Sequence, residues 1–560
     1  MTLPRSVNEA GTQRSFTVTG QIVDLVHRRI FPGEIVVVNG KIASITQIAE
    51  ASGNFILPGF IDAHVHVESS MLTPARFAEL AVRHGTVATV SDPHEIANVC
   101  GREGVLWMVR NGATVPFKFH FGVPSCVPAT SGGLETSGAI IDSQVVAELL
   151  THPELTYLAE MMNFPGVLGS DAEVIAKLRA AVGSNKPIDG HAPGLRGESA
   201  GRYIAAGPST DHECFTLEEA LDKLGQGLKY VLIREGSAAR NFEALQSLLR
   251  THPQQVMFCT DDAHPDMLFR GHINKLVARA IRDGYDVYDV LNAACVNPVK
   301  HFGLDVGVLQ VGDSADLVVV NDLVGFEVLA TYVNGQKVAE NGRALFTAQP
   351  FERINNFVAP TITLDQLQLP RLGENLRAIR VLDGQLISEE LLVAAQGAGS
   401  WIAADTTRDL LKVVVVNRYG SGDRPPAVAM VNGFGLRRGA IASSVGHDCH
   451  NIVAVGANDA DLLAAIRLVI GARGGIALAS GRTRQLLPLP IGGLMSDEDG
   501  QTVATEYATI DAMAKNLLGS TLGAPFMALA FLPLLVIPRL KISDLGLFDS
   551  RRWQFVPVSF

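Results

Sequence analysis
The chain has 560 residues, 47% hydrophobic and 18% charged, with 54 glycines and a formal net charge of -11. That size exceeds a single domain, and the composition is that of a compact α/β protein, which excludes a disordered chain. The acidic balance, without any Lys/Arg block, argues against nucleic acid as a partner, and Cys100, Cys126, Cys214, Cys259, Cys295 and Cys449 stand singly without a CxxC pair, as reduced thiols of a cytoplasmic protein do.

The first 20 residues are polar and lack the apolar core of a secretory signal, so export is not expected. From Phe16 to Ile56, β-branched runs alternate with turns, and Asn39-Gly40 marks a hairpin. The same pattern returns from Ser314 to Gly342 with Asn334-Gly335, so segments 1–57 and 311–360 are expected to form one split, small β-sandwich domain. Between them, residues 58–310 alternate short apolar strands with helical patterns, which predicts a (β/α)8 TIM-like barrel. Its strands are expected to end near His66, Asp92, Gly122, Glu160, His191, His212, Arg234 and Asp261, at the face where such barrels carry their sites. Residues 361–560 read as a C-terminal α+β domain, with strands in LLKVVVVNRYG and PPAVAMVNGFGL and a helix in ANDADLLAAIRLVIGA capped by Asn458 or Asp459. The apolar stretch from Phe526 to Ile537 is too short to cross a bilayer and contains Pro533, so it reads as a buried core strand or helix.

The chemistry starts in PGFIDAHVHVESS. Residues i and i+2 of a strand share a face, so His64 and His66 leave it side by side and can grip one cation. Glu160, His191, His212 and Asp261 close later strands, and this set of imidazoles and carboxylates suits two divalent transition metal ions, Mn, Fe or Zn, sharing one carboxylate. Asp92, His94 and Glu95 at the second strand and His120 at the third form another ionisable group, either hydrogen-bonded support for the ligands, or an extra metal site or substrate contacts. Arg234, Glu235 and Ser237 close the seventh strand and are candidate substrate contacts or a plain turn. Ser69, Ser70 and Asn163 are candidate contacts, and equally ordinary caps and turns. His447, Asp448 and His450 suggest a further triplet, but on a strand the two histidines would face apart. Joint ligation would need a turn, and a loop or lid over the barrel mouth is the expected role.

Taken together, HVHVESSMLTP, SDPHEIANVCG, YLAEMMNFPGV, DGHAPGL, TDHE, FCTDDAHP and, near the C-terminus, GHDCHNIVAVG resemble the amidohydrolase superfamily and, more closely, its bacterial adenine deaminase family, over nearly the whole chain. The resemblance implies hydrolysis of adenine to hypoxanthine and ammonia by a metal-activated hydroxide, as part of purine salvage, in a cytoplasmic homo-oligomer with no membrane partner. It implies that His64, His66 and Asp261 hold one ion and His191 and His212 the other, with Glu160 bridging where many superfamily members use a carboxylated lysine. Asp261 is then the candidate proton shuttle, with Asp262 and Glu235 as alternatives. The rival expectations are a cyclic-amide hydrolase of the dihydroorotase kind and a noncatalytic scaffold derived from such an enzyme.

Overall fold
A computed structural model of the protein describes residues 15–130, 133–358, 361–396, 399–420 and 424–560; residues 1–14, which carry most of the polar N-terminal stretch, lie outside them. Strands β1 (Ser15–Asp24), β2 (Arg29–Val38), β3 (Lys41–Gln47) and β4 (Phe55–Pro58) join four strands from much later in the chain. Eight further strands intervene in sequence: β5 (Phe60–Val65), β6 (Thr86–Ser91), β7 (Lys118–Val123), β8 (Leu155–Met161), β9 (Ile188–Gly190), β10 (Thr210–Asp211), β11 (Tyr230–Arg234) and β12 (Val256–Cys259). The returning segment then supplies β13 (Leu317–Val320), β14 (Val328–Val333), β15 (Gln336–Glu340) and β16 (Arg343–Ala344).

The small unit is one hydrogen-bonded sheet in the order β16-β15-β14-β13-β4-β1-β2-β3, so the expected split is present, but the two layers of a sandwich are a single curled sheet. The Asn39-Gly40 and Asn334-Gly335 turns link β2 to β3 and β14 to β15. Each pair has positive φ, as tight hairpins require, and the turns abut: a Cβ on Gly40 would lie 2.6 Å from the Asn334 carbonyl oxygen.

The eight intervening strands form two parallel arcs, β5 to β9 and β10 to β12. Their apolar runs are buried on both faces, as parallel strands covered by helices are. The arcs adjoin at both ends. At one seam Asp261 N–H donates to the His64 carbonyl at 2.9 Å and His66 N–H to the Asp261 carbonyl at 3.1 Å; at the other, Ser209 N–H donates to the Ile188 carbonyl at 2.9 Å. Observed strand ends fall within two residues of the expected ones.

The C-terminal region is built on a second eight-stranded sheet, mostly antiparallel, covered by the helix Asp459–Ala472. Asn458 caps that helix by accepting the Asp461 N–H. A loop at 446–451 joins strands Ala440–Ser443 and Ile452–Gly456. The apolar stretch near 530 begins as the helix Pro525–Ala530 and continues as buried turns. Among the described residues no helix is long and apolar enough to cross a membrane, and all six cysteines are unpaired.

Candidate metal centre
The ends of β5, β8, β9, β10 and β12 converge on one buried point. His64 Nε2 and His66 Nε2 lie 3.2 Å apart, and Asp261 Oδ1 is 3.6 Å from the first and 3.2 Å from the second. Glu160 faces both halves of the cluster. Its Oε1 is 3.5 Å from His66 Nε2, while its Oε2 is 3.2 Å from His212 Nε2 and 2.7 Å from His191 Nδ1. Around an ion with bonds of about 2.1 Å, tetrahedral ligands stand roughly 3.4 Å apart, so most of these separations suit shared cations. The donor set of four imidazoles and two carboxylates fits borderline divalent metals.

The surroundings orient these donors. His64 Nδ1 donates to the buried Asp189 at 2.7 Å, which turns Nε2 into the cluster. The Tyr203 phenol oxygen accepts the His191 N–H at 3.0 Å and donates to the Met161 carbonyl at 2.8 Å, fixing the end of β9. Asp261 has φ of 59°, a left-handed backbone rare outside glycine, which the seam hydrogen bonds hold in place.

Charge is distributed unevenly across the two adjacent acids. Burial pushes the Asp261 carboxyl up, but the Arg234 guanidinium, His64 and His66 outweigh it and hold it well below the usual range. Burial, and then the charge of Asp261, raise the Asp262 carboxyl instead. Ser69 Oγ donates to Asp262 Oδ1 at 2.5 Å, so Ser69 turns inward, whereas Ser70 bonds the Val67 carbonyl and only closes the local turn.

Other sequence candidates fall elsewhere. Glu235 makes ion pairs with Arg240 at 3.2 Å and Arg279 at 2.9 Å. Arg234 does line the cavity over the cluster, where it is engaged by Glu213 at 2.7 Å and by Asp261. Ser237 holds the loop after β12 through the His264 N–H, and Asn163 caps the helix Phe164–Leu168. His120 points away from the cluster, with Nε2 3.4 Å from Asp305 beside Lys118. Asp92 and His94 do belong, since His94 Nδ1 is 3.0 Å from Asp92 Oδ2 and 3.6 Å from Glu160 Oε1.

The loop at 446–451 supplies the turn that His447 and His450 need, and both reach Glu95: His447 Nδ1 is 2.5 Å from Oε1, and His450 Nε2 pairs with Oε2. A small cavity of about 30 Å³ lies over the cluster, roofed by Leu386, Phe531, Leu534 and Ile537 of the C-terminal region. Phe531 stacks on His447 with ring centres 4.4 Å apart. The sequence singled out neither this roof, whose residues read as ordinary core, nor Asp189 and Glu213, although each acid lies beside a ligand histidine in IDGH and TDHE.

The Amidohydrolase family model matches residues 55–338 and the Adenine deaminase C-terminal domain model residues 385–554. A curated adenine deaminase of Salinibacter ruber is 52% identical, the alignment covering 97% of this chain and 98% of that one. This chain belongs to the adenine deaminase family. Adenine deaminases of Sulfurovum sp. and Borreliella burgdorferi are 51% and 42% identical, covering 95% and 97% of this chain and 98% and 99% of theirs. The cavity of this adenine deaminase family member thus lies between the two matched regions, with metal-type donors from one and a roof from the other.

Proposed function
We propose that this chain hydrolyses adenine to hypoxanthine and ammonia at the cavity over Glu160, using two divalent transition metal ions, Mn, Fe or Zn. The observation that carries the reading is the two-sided placement of Glu160, one oxygen toward His66 and the other toward His191 and His212. His64, His66 and Asp261 would hold one ion, His191 and His212 the other, and Glu160 would bridge. Bound there, the cations supply Lewis acidity that makes water a nucleophile near neutral pH.

The chain's own residues handle position and protons. The C6–O bond forms first and the C6–N bond then breaks; the nitrogen must leave as ammonia, so one proton has to travel from water to the amine while the other stays with the lactam product. Asp261 Oδ1 faces the histidine pair and would accept the proton of the water, while Arg234 and the two imidazoles favour its ionised form. Asp262, raised and held by Ser69, is the better donor to the departing amine. Arg234 keeps Asp261 ionised, and Asp92 orients His94 beside Glu160. The apolar roof would exclude bulk water and cover the flat face of a purine.

The parallel arcs read best as one (β/α)8 barrel, closed by the two backbone seams. The proposed domains are 1–57 with 311–360, the barrel at 58–310, and a C-terminal domain at 361–560. The unpaired cysteines favour the cytoplasm. Incubating the purified holoprotein with adenine and identifying the products tests the function: hypoxanthine and ammonia in equal amounts are expected. Ring opening of a hydantoin or dihydroorotate without ammonia from adenine would favour the cyclic-amide reading.

A further inference from the structure
We propose that a second cavity, beside the roof, is an antechamber through which the free purine base reaches the metal centre, with Leu386 as the gate between the two spaces. The proposal rests on the deaminase reading. The space directly over the cluster is about 30 Å³, room for little more than water and far too small for a bicyclic base, so the roof must part in each turnover.

Exposure and packing set where it parts. Phe531, Leu534 and Ile537 are buried, whereas Leu386 is half-buried in the tip of a hairpin between strands Asn375–Val381 and Ser388–Ala394. On the far side of Leu386 lies the second cavity, of about 330 Å³, and Leu386 and Phe531 line both spaces. Its walls are the exposed tip of that hairpin and the loop Ser237 to Arg240 after β11, so it lies between the C-terminal region and the mouth of the parallel arcs. Lys541 Nζ donates to the Leu386 carbonyl at 2.8 Å and to the Phe531 carbonyl at 2.9 Å, joining the two residues that divide the cavities. Giving up the first bond frees the tip without breaking a strand. Ser388 stays fixed as the hinge, its N–H bonded to the Pro538 carbonyl and its carbonyl to the Arg539 N–H, both at 3.0 Å.

The test places a removable block in the antechamber. Ala528, half-buried on the helix Pro525–Ala530, lines this cavity and not the one over the cluster. Ala528→Cys holoprotein is reacted with methyl or benzyl methanethiosulfonate, and intact mass, metal content and adenine kinetics are compared with wild type treated in the same way. The benzyl adduct is expected to lower kcat/KM for adenine by about tenfold or more with metal content unchanged, the methyl adduct to leave it near that of unlabelled protein, and reduction of the disulfide to restore it. Full kcat/KM in the benzyl adduct would overturn the route. So would folded Ala528→Cys that takes no benzyl label, because a space closed to that ring is closed to a purine. Ala524→Cys, on the same wall, carries the test where Ala528→Cys does not fold. Unlabelled protein that releases no ammonia from adenine removes the deaminase reading and the antechamber with it, whereas release that the benzyl adduct leaves untouched removes the antechamber alone.

Discussion

His447 Nδ1 lies 2.5 Å from Glu95 Oε1, joining the C-terminal region to the first turn of the helix after the second parallel strand across 352 residues of sequence. With Phe531 stacked on the same imidazole, this contact holds the roof over the metal-type donors. Breaking one partner of a buried pair costs about 3–5 kcal/mol. His447→Ala is therefore expected to lower the free energy of unfolding by about 3 kcal/mol, reduced where His450 keeps hold of Glu95, and to raise KM for adenine. Urea unfolding and steady-state kinetics on one preparation check both effects.

Asp189 touches no candidate cation, yet it sets the ring of His64 through the Nδ1 hydrogen bond at 2.7 Å. Losing such a partner typically weakens metal binding roughly 10- to 100-fold. Asp189→Asn should show that loss in a chelator competition while its circular dichroism stays that of the wild type. Unchanged metal affinity would mean that packing alone orients His64.

The paired acids after β12 divide the proton work. Asp261→Asn is expected to lower kcat by about 10²- to 10⁴-fold at saturating metal. Ser69→Ala, which frees Asp262 Oδ1 from its 2.5 Å hydrogen bond, should alter kcat far more than KM. Near-normal turnover in metal-loaded Asp261→Asn would remove Asp261 from proton transfer.

Lys541 is buried with its Nζ donating to the Leu386 and Phe531 carbonyls at 2.8 and 2.9 Å, directly behind the roof. Burial brings its pKa down from the ordinary 10.5 to about 7. The sign follows from proton counts: between pH of about 7 and 10.5 the unfolded chain binds this proton and the folded chain does not, so stability rises with pH in that window and is flat below it. Lys541→Met should remove a slope of up to about 1.4 kcal/mol per pH unit, read as the difference between wild-type and variant unfolding curves at pH of about 8 and 9.

Much of this arrangement was legible in the sequence because it is local. The i, i+2 spacing of His64 and His66 fixes a shared strand face, and polar residues closing apolar runs mark the strand ends, so Glu160, His191, His212 and Asp261 could be read in order. What was not legible depends on long-range placement. Phe531, Leu534 and Ile537 look like core in any local window, and only the packing of the C-terminal region onto the parallel arcs makes them a roof. Arg234 and Glu235 are neighbours in sequence but face opposite surroundings, one braced between Glu213 and Asp261 and the other between two arginines. His447 and His450 converge because the backbone turns between them, with His450 at φ of 52°, where a strand would have sent them apart.

The central claim is that Glu160 bridges two ions on which turnover depends. Metal-stripped wild type and Glu160→Gln would each be refilled with Mn(II), Zn(II) or anaerobic Fe(II) while adenine absorbance and ammonia release are followed. No turnover is expected in the stripped wild type, with recovery on metal addition, and little recovery in Glu160→Gln together with reduced metal content. Ammonia release by the stripped wild type at the metal-loaded rate, or full recovery in Glu160→Gln, would contradict it.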